Sequence, residues 1–138
     1  MADTFAFELV SPEKLLVSGE ADIVTVPATE GDMGIMGNHA PVMTSLRPGI
    51  VEAKMADGAS AEFFVRGGFA DVSPAGVTVL AEFAIPRDQM TRDIFEQQRT
   101  LAQQDHDAHR EAGDEEKAAN ARSLLDQLNH LEPTLLPA

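Results

Sequence analysis

Short hydrophobic runs alternate with turn-forming residues throughout the first 86 residues of the chain. In the first run, Phe5, Phe7 and Leu9 occupy every second position, which is typical of a β-strand with one buried face. Turn residues recur at the intervals of about eight to twelve residues that all-β sandwiches and barrels show. The pattern predicts nine strands, at residues 5–10, 15–17, 22–26, 33–36, 42–46, 50–55, 62–66, 69–72 and 77–82.

The pattern changes after Pro86 to one dominated by helix-forming residues. We expect a first helix over roughly residues 90–110 and a second helix that Asp114 caps after a break at Gly113. Pro133 is expected to end the second helix. The apolar positions of the first helix are Met90, Ile94, Leu101 and Ala108, with Phe95 and Ala102 beside them. Those of the second are Ala118, Ala121, Leu124, Leu125, Leu128 and Leu131.

These patterns predict an α+β chain with two domains. An antiparallel β-sandwich at residues 1–86 is followed by an antiparallel two-helix hairpin at residues 87–138. The apolar seam of the hairpin is narrow, and two isolated helices are marginally stable in water. We therefore expect the hairpin to need a surface on which to dock, either the sandwich or a partner, and to be able to exchange between the two.

The composition excludes several classes of function. The 138 residues include 10 Lys and Arg against 23 Asp and Glu, and the formal net charge of -13 argues against nucleic acid as a partner. The chain has no cysteine, which excludes disulfides and thiolate chemistry. No signal or transit peptide is evident, and the longest uncharged stretch, residues 33–46, is too short and polar to span a bilayer. Any membrane association is therefore expected to be peripheral.

Residues with catalytic potential are few. The chain contains no phosphate-binding loop and no nucleophile elbow. Glu30 and Asp32 flank a turn glycine without an aromatic sugar platform, and His39 lacks a nearby Ser or Cys nucleophile, although a histidine in a loop also suits a protein contact. The histidines of residues 105–109 would need a third ligand to hold a metal, and solvated helix residues explain them as well. The alternative that remains open is a free-standing β-sandwich hydrolase or ligand-binding domain.

Several blocks of the sequence follow one another at characteristic separations. They are Leu-Val-Ser-Pro-Glu at residues 9–13, Thr-Glu-Gly-Asp-Met-Gly-Ile at 29–35, Gly-Asn-His-Ala-Pro-Val at 37–42 and Gly-Gly-Phe-Ala-Asp-Val at 67–72. In this order they resemble the epsilon subunit of bacterial F-type ATP synthase. The resemblance covers the whole chain and implies a β-sandwich of about ten strands followed by two helices.

The resemblance also implies a function and partners. Members of the family are non-catalytic rotor subunits of the central stalk. Their sandwich binds the gamma subunit and the ring of c subunits. Through the C-terminal helices, the resemblance adds the alpha and beta subunits to the expected partners. Glu30, Gly31 and Asp32 match the loop that contacts the c ring, and His39, Ala40 and Pro41 match the region near gamma. The implied location is the cytoplasmic face of the bacterial inner membrane, with peripheral attachment through the complex.

One departure from the family concerns ATP. Many members begin the first C-terminal helix with a Leu/Ile-Asp-x-x-Arg-Ala motif that helps to bind ATP, whereas Thr91 and Ile94 stand here in place of the Asp and the Arg. Arg92, Asp93 and Arg99 lie nearby as substitutes, but the loss of both charged groups argues against ATP binding by the helices. We expect no cofactor, and regulation of ATP hydrolysis by the hairpin is left open.

Overall fold

The computed structural model describes residues 4–37 and 40–136, and the chain divides into two compact units at residues 87 and 88. The first unit contains nine strands in its described residues and the second contains two helices. The strands are β1 (Phe5–Val10), β2 (Leu15–Ala28), β3 (Gly31–Met36), β4 (Val42–Leu46), β5 (Gly49–Met55), β6 (Ser60–Val65), β7 (Gly68–Ser73), β8 (Gly76–Ala81) and β9 (Ala84–Pro86). The helices are α1 (Arg92–Glu111) and α2 (Glu115–Leu135).

The strands form the two layers of a β-sandwich. One layer has the order β1-β8-β7-β4, and the other has the order β3-β2-β5-β6-β9. Strand β2 joins them, because it pairs with β1 along its first half and with β3 and β5 along its second half. The shared core is apolar and comes from alternate positions of both layers, as the prediction for Phe5, Phe7 and Leu9 required.

Strand β2 replaces two of the predicted strands. Residues 15–17 and 22–26 belong to one strand of 14 residues, because Ser18 and Gly19 between them pair with Glu8 and Phe7 of β1 instead of forming a turn. The pairing of β2 with β5 shifts register between Ala21 and Ile23, which is the signature of a β-bulge. A bulge bends a strand without ending it, and this allows β2 to serve both layers.

The nine strands of the described residues agree with a sandwich of about ten strands. Two further features of the sheet differ from expectation. The pairing of β1 with β8 is parallel, so the sheet is not wholly antiparallel. Strand β9 was not predicted, because its three residues Ala-Ile-Pro carry no alternation, and it forms only through its pairing with β6. Pro86 is tolerated there because β9 lies at the edge of its layer, where a missing backbone N–H costs little.

The helices begin at side-chain caps. Thr91 accepts a hydrogen bond from the Ile94 backbone N–H at 3.2 Å at the start of α1, and Asp114 accepts one from the Lys117 backbone N–H at 3.0 Å at the start of α2. The predicted cap at Asp114 is therefore confirmed. The described residues include no helix with both the length and the apolar character to cross a bilayer.

Two details of the helices correct the sequence predictions. Leu101 is 45% exposed and Ala108 is also exposed, whereas α1 buries Phe95, Gln98 and Ala102. The buried face therefore runs through Phe95 and Ala102, which were predicted to lie beside the stripe. Pro133 does not end α2, which continues to Leu135. Because Pro133 is so close to the helix end, it removes only one backbone hydrogen bond, the one that would reach the carbonyl oxygen of Asn129. Water can donate to that oxygen instead, because Asn129 is exposed.

Candidate contact surfaces

The β2–β3 turn presents the residues predicted to meet the c ring. Glu30 is exposed at the turn, and Gly31 and Asp32 open strand β3. Gly31 has a φ of 138°, which a residue with a side chain rarely adopts, although a Cβ at this position would meet nothing within 4 Å. Gly31 is therefore needed for the backbone conformation between Glu30 and Asp32, and not because a side chain would lack space.

Asp32 has a partner within the chain that the sequence did not reveal. The Arg47 guanidinium donates a hydrogen bond from Nη2 to Asp32 Oδ1 at 2.5 Å. The Asp32 side chain is 67% exposed and that of Arg47 is 28% exposed. The two residues are 15 positions apart, and only the pairing of their strands through β2 brings them together, so no local spacing could have predicted the contact.

Backbone hydrogen bonds join the turns at this end of the sandwich in two pairs. In the first, Thr29 N–H of the β2–β3 turn donates to Ser45 O of β4 at 3.1 Å, and Arg47 N–H of the β4–β5 turn donates to Pro27 O of β2 at 2.9 Å. In the second, Arg66 N–H of the β6–β7 turn donates to Phe83 O of the β8–β9 turn at 3.0 Å. A second arginine–carboxylate pair lies here, with Arg66 Nη2 at 3.9 Å from Glu82 Oε2. We call this surface the β2–β3 end of the sandwich.

The segment predicted to contact gamma is described in part. His39 lies outside the described residues. Ala40 and Pro41 are exposed and lead directly into β4, whose second residue, Met43, is 66% exposed. The segment therefore adjoins the outer face of the β1-β8-β7-β4 layer.

That outer face carries an apolar patch that the sequence analysis missed. Phe69 is 51% exposed and Leu80 is 52% exposed, and they are directly opposite each other on β7 and β8. Val10 pairs with Leu80 on the other side, and Met43 lies one diagonal step from Phe69 across β4. Large apolar side chains gathered on one exposed face of a sheet are characteristic of protein contact sites. The apolar residues at the outward-facing positions of each strand are visible in the sequence. The patch that they form can be recognised only when the order of the strands is known.

In the helical unit, Arg99 forms a cluster that links α1 to α2. Arg99 Nη1 donates to Asn129 Oδ1 and to Glu132 Oε1, both at 3.0 Å, and Arg99 Nη2 donates to Glu96. The bond from Arg99 lowers the pKa of the Glu96 carboxyl below its ordinary value. Arg92 Nη1 lies 3.5 Å from Glu132 Oε2. Both arginines considered as substitutes for the ATP motif therefore contact carboxylates of this chain.

The histidines of α1 form no metal centre in the part of the chain that the structure describes. His106 Nδ1 lies 3.2 Å from Asp107 Oδ1, and Gln103 donates to the same carboxylate at 3.0 Å. Hydrogen bonds from Gln103 and His106 lower the pKa of Asp107. No group of three or more potential metal ligands occurs among residues 4–37 and 40–136.

Comparison with known proteins identifies the family. The family model for the ATP synthase delta/epsilon chain β-sandwich domain matches residues 4–87, which is more than half of the chain. The chain belongs to this family. The ATP synthase epsilon chain of Parvibaculum lavamentivorans is 46% identical over 135 residues and covers 98% of this chain and all of its own length. That of Allorhizobium ampelinum is 41% identical over the full length of both chains.

Membership in the delta/epsilon family confirms the resemblance stated from the sequence. The chain is an epsilon-type subunit of F-type ATP synthase, a central-stalk subunit and not the catalytic one. Among solved structures, a chain of the Euglena gracilis mitochondrial ATP synthase OSCP/F1/c-ring assembly matches with a TM-score of 0.69 at 22% identity, over 96% of this chain and 81% of that chain. At this level of identity the structural likeness supports the fold, a β-sandwich followed by two helices.

Proposed function

We propose that the chain couples the c ring to gamma in a bacterial ATP synthase, with each end or face of the sandwich meeting one partner. The 1–86 domain binds both rotor partners, and the complex holds it at the cytoplasmic face of the inner membrane. The apolar patch of Val10, Met43, Phe69 and Leu80 is the observation that carries the proposal, because a stalk subunit needs a surface that remains attached while torque passes through it.

The patch is proposed as the contact for gamma. Met43 continues the chain from Ala40 and Pro41, so the family-derived segment and the apolar face form one surface. Phe69 and Leu80 are already about half buried, so covering the rest of each side chain contributes about 1 kcal/mol, and the four side chains together make this surface the energetic centre of the contact. The aspartate Asp71, opposite Met43, lies at its polar border.

The β2–β3 end is proposed as the contact for the c ring. Its charged and exposed turn residues suit the polar loops of a ring better than a permanently buried interface. Exposed ion pairs contribute about 0.2 to 1 kcal/mol each and weaken with salt. In this proposal the gamma contact therefore provides most of the binding free energy, and the contact with the c ring fixes the position of the subunit on the ring.

The helical hairpin is proposed as the mobile and regulatory part of the subunit. Arg92 forms an ion pair with Glu132, and Arg99 forms ion pairs with Glu96 and Glu132. The regulatory role proposed for the hairpin does not require the helices to bind ATP. Separation of α1 from α2 would expose these side chains to the alpha and beta subunits, the further partners implied by the family.

Membranes stripped of this subunit provide the test of the proposed function. Adding back the purified full chain is expected to restore ATP-driven proton pumping. Leu80→Ser is expected to raise the concentration needed for half-maximal recoupling about fivefold, because the replaced side chain lies at the centre of the patch. Pumping is read from the quenching of a pH-sensitive dye across a titration of the added chain.

The matched control is Leu101→Ser, which changes a leucine of similar exposure, 45% against 52%, in the helical unit. It is expected to recouple like the original chain. Failure of the original chain to restore pumping would contradict the coupling role, whereas equal effects of the two substitutions would contradict only the assignment of the patch.

A further inference from the structure

The methionines among the described residues differ widely in exposure. Met43 on β4 is 66% exposed and Met36 on β3 is 60% exposed, whereas Met90 is only 9% exposed. Met33 and Met55 are partly buried and pack against the core of the sandwich. An oxidant in solution reacts fastest with a thioether sulfur that it can reach. Of the methionines in residues 4–37 and 40–136, Met36 and Met43 are therefore the most open to oxidation.

Met43 differs from Met36 in its surroundings. It belongs to the apolar patch, where Phe69 lies one diagonal step away on β7 and is 51% exposed. Met36 lies in the other layer of the sandwich, where β3 pairs with β2 and Ile23 is its partner. Oxidation of Met43 therefore changes the chemistry of the patch, whereas oxidation of Met36 leaves the patch unaltered.

We propose that Met43 is a modification site for hydroperoxides, and that its oxidation weakens the binding of a partner to the apolar patch. With hydrogen peroxide, the sulfur of Met43 bonds to one oxygen as the O–O bond breaks, and the other oxygen leaves as water. The thioether loses two electrons and the peroxide gains them, so the products are methionine sulfoxide and water. Methionine sulfoxide reductases reverse the change, which makes the modification suitable for regulation.

The sulfoxide is poorly suited to a covered apolar surface. It replaces a flexible apolar group with a polar one that accepts hydrogen bonds from water, and a partner that covers the patch removes that water. The described side chains across the strand pair provide no replacement donor, because Asp71, directly opposite Met43, carries a carboxylate and Phe69, on the diagonal, has no polar atom. The loss of binding rests on the proposed function, which has gamma on the patch. The oxidation of Met43 in the free chain does not.

Peptide mass spectrometry after a brief treatment with hydrogen peroxide tests the first part of the proposal. In the free chain, Met36 and Met43 are expected to form sulfoxide about tenfold faster than Met90, because the Met90 side chain is shielded from solvent. In membranes recoupled with the same chain, Met43 is expected to react about tenfold more slowly than in the free chain, because gamma covers it. Sulfoxide that forms at Met43 no faster than at Met90 in the free chain would overturn the proposal.

The recoupling assay tests the second part. After the peroxide has been removed, the oxidised chain is expected to need a concentration about five- to tenfold higher for half-maximal recoupling, which is the effect of covering one unpaired polar group. Treatment with methionine sulfoxide reductases is expected to restore the original value. Thermal unfolding of the oxidised chain verifies that it is folded.

Matched variants identify the responsible methionine, and each is compared with its own untreated form. Met43→Leu keeps an apolar side chain of similar volume but has no sulfur, so peroxide is expected to leave its recoupling unchanged. Met36→Leu is expected to lose recoupling on oxidation as the original chain does. A Met43→Leu chain that is impaired by peroxide as much as the original chain would overturn the proposal. If the untreated original chain fails to restore pumping, the proposed function is contradicted, and the peptide map still decides whether Met43 is the oxidation site.

Discussion

At the scale of single residues, the tightest constraint in the sheet is Gly68 at the start of β7. Its φ is 134°, and a Cβ built there would lie 2.0 Å from the Leu80 carbonyl oxygen. Because that oxygen belongs to the backbone of the paired strand, no side-chain movement can relieve the contact. Gly68→Ala is expected to destabilise the chain by about 3 kcal/mol or more, measured as the free energy of unfolding in urea.

Gly58 provides the comparison for Gly68. It has a φ of 92°, but a Cβ there would meet nothing within 4 Å. Gly58→Ala is therefore expected to cost about 1 to 2 kcal/mol, which reflects the backbone conformation alone. Equal losses in the two variants would show that the backbone of β8 moves to accommodate a methyl group and that the steric argument is wrong.

At the scale of elements, the Arg99 cluster is expected to stabilise the helix pair. Arg99 is one-third exposed, contacts Glu132 and Asn129 on the other helix, and lies 5.5 Å from the centre of the Phe95 ring. Arg99→Met keeps the apolar stem and removes the charge, and it is expected to cost about 1 kcal/mol. Helix content measured by circular dichroism during urea unfolding gives the change.

Arg122→Met is the control for Arg99, because among residues 4–37 and 40–136 Arg122 pairs only along α2, at 3.4 Å from Asp126, and both side chains are more than 60% exposed. It is expected to change stability little. Acidification gives an independent check. The folded-state pKa of Glu96 is lowered, so its stabilising effect is present above the ordinary pKa and is lost as the pH falls through the lowered value. An original chain whose helices lose no more stability in acid than Arg99→Met would contradict the role of the cluster.

The elements also show how far the sequence determined the fold. The strand β1 and the helix cap at Asp114 could be predicted from the sequence, because each depends on residues that are close together in the chain. The continuity of β2, the existence of β9 and the parallel pairing of β1 with β8 depend on partner strands, so no local pattern encodes them. The contact surfaces follow the same division. Glu30 to Asp32 were predicted as a contact from a contiguous motif, and this remains a prediction, whereas the Arg47 partner and the apolar patch arise only from strand order.

At the scale of the whole molecule, the two units differ in the size of their apolar cores. The core of the sandwich combines buried residues from eight strands, including Phe7, Leu9 and Val79, each fully buried. The helical unit buries a few residues of two helices, among them Phe95 and Leu128, and reinforces them with exposed ion pairs. Cooperative stability increases with the apolar area removed from water, so the helices are expected to open at a lower free energy than the sheet.

Hydrogen exchange on the intact chain tests this difference directly. Backbone amides of residues 92–135 are expected to exchange at least tenfold faster than those of the central strands β2, β5 and β7, because a narrow seam opens without unfolding the sheet. A chain that ends at residue 87 is expected to keep the exchange pattern of the sandwich strands, since its apolar core lies entirely within residues 5–81. Equal protection of helices and strands in the intact chain would mean that the chain opens as one unit, and a hairpin that cannot open separately could not act as a mobile regulator.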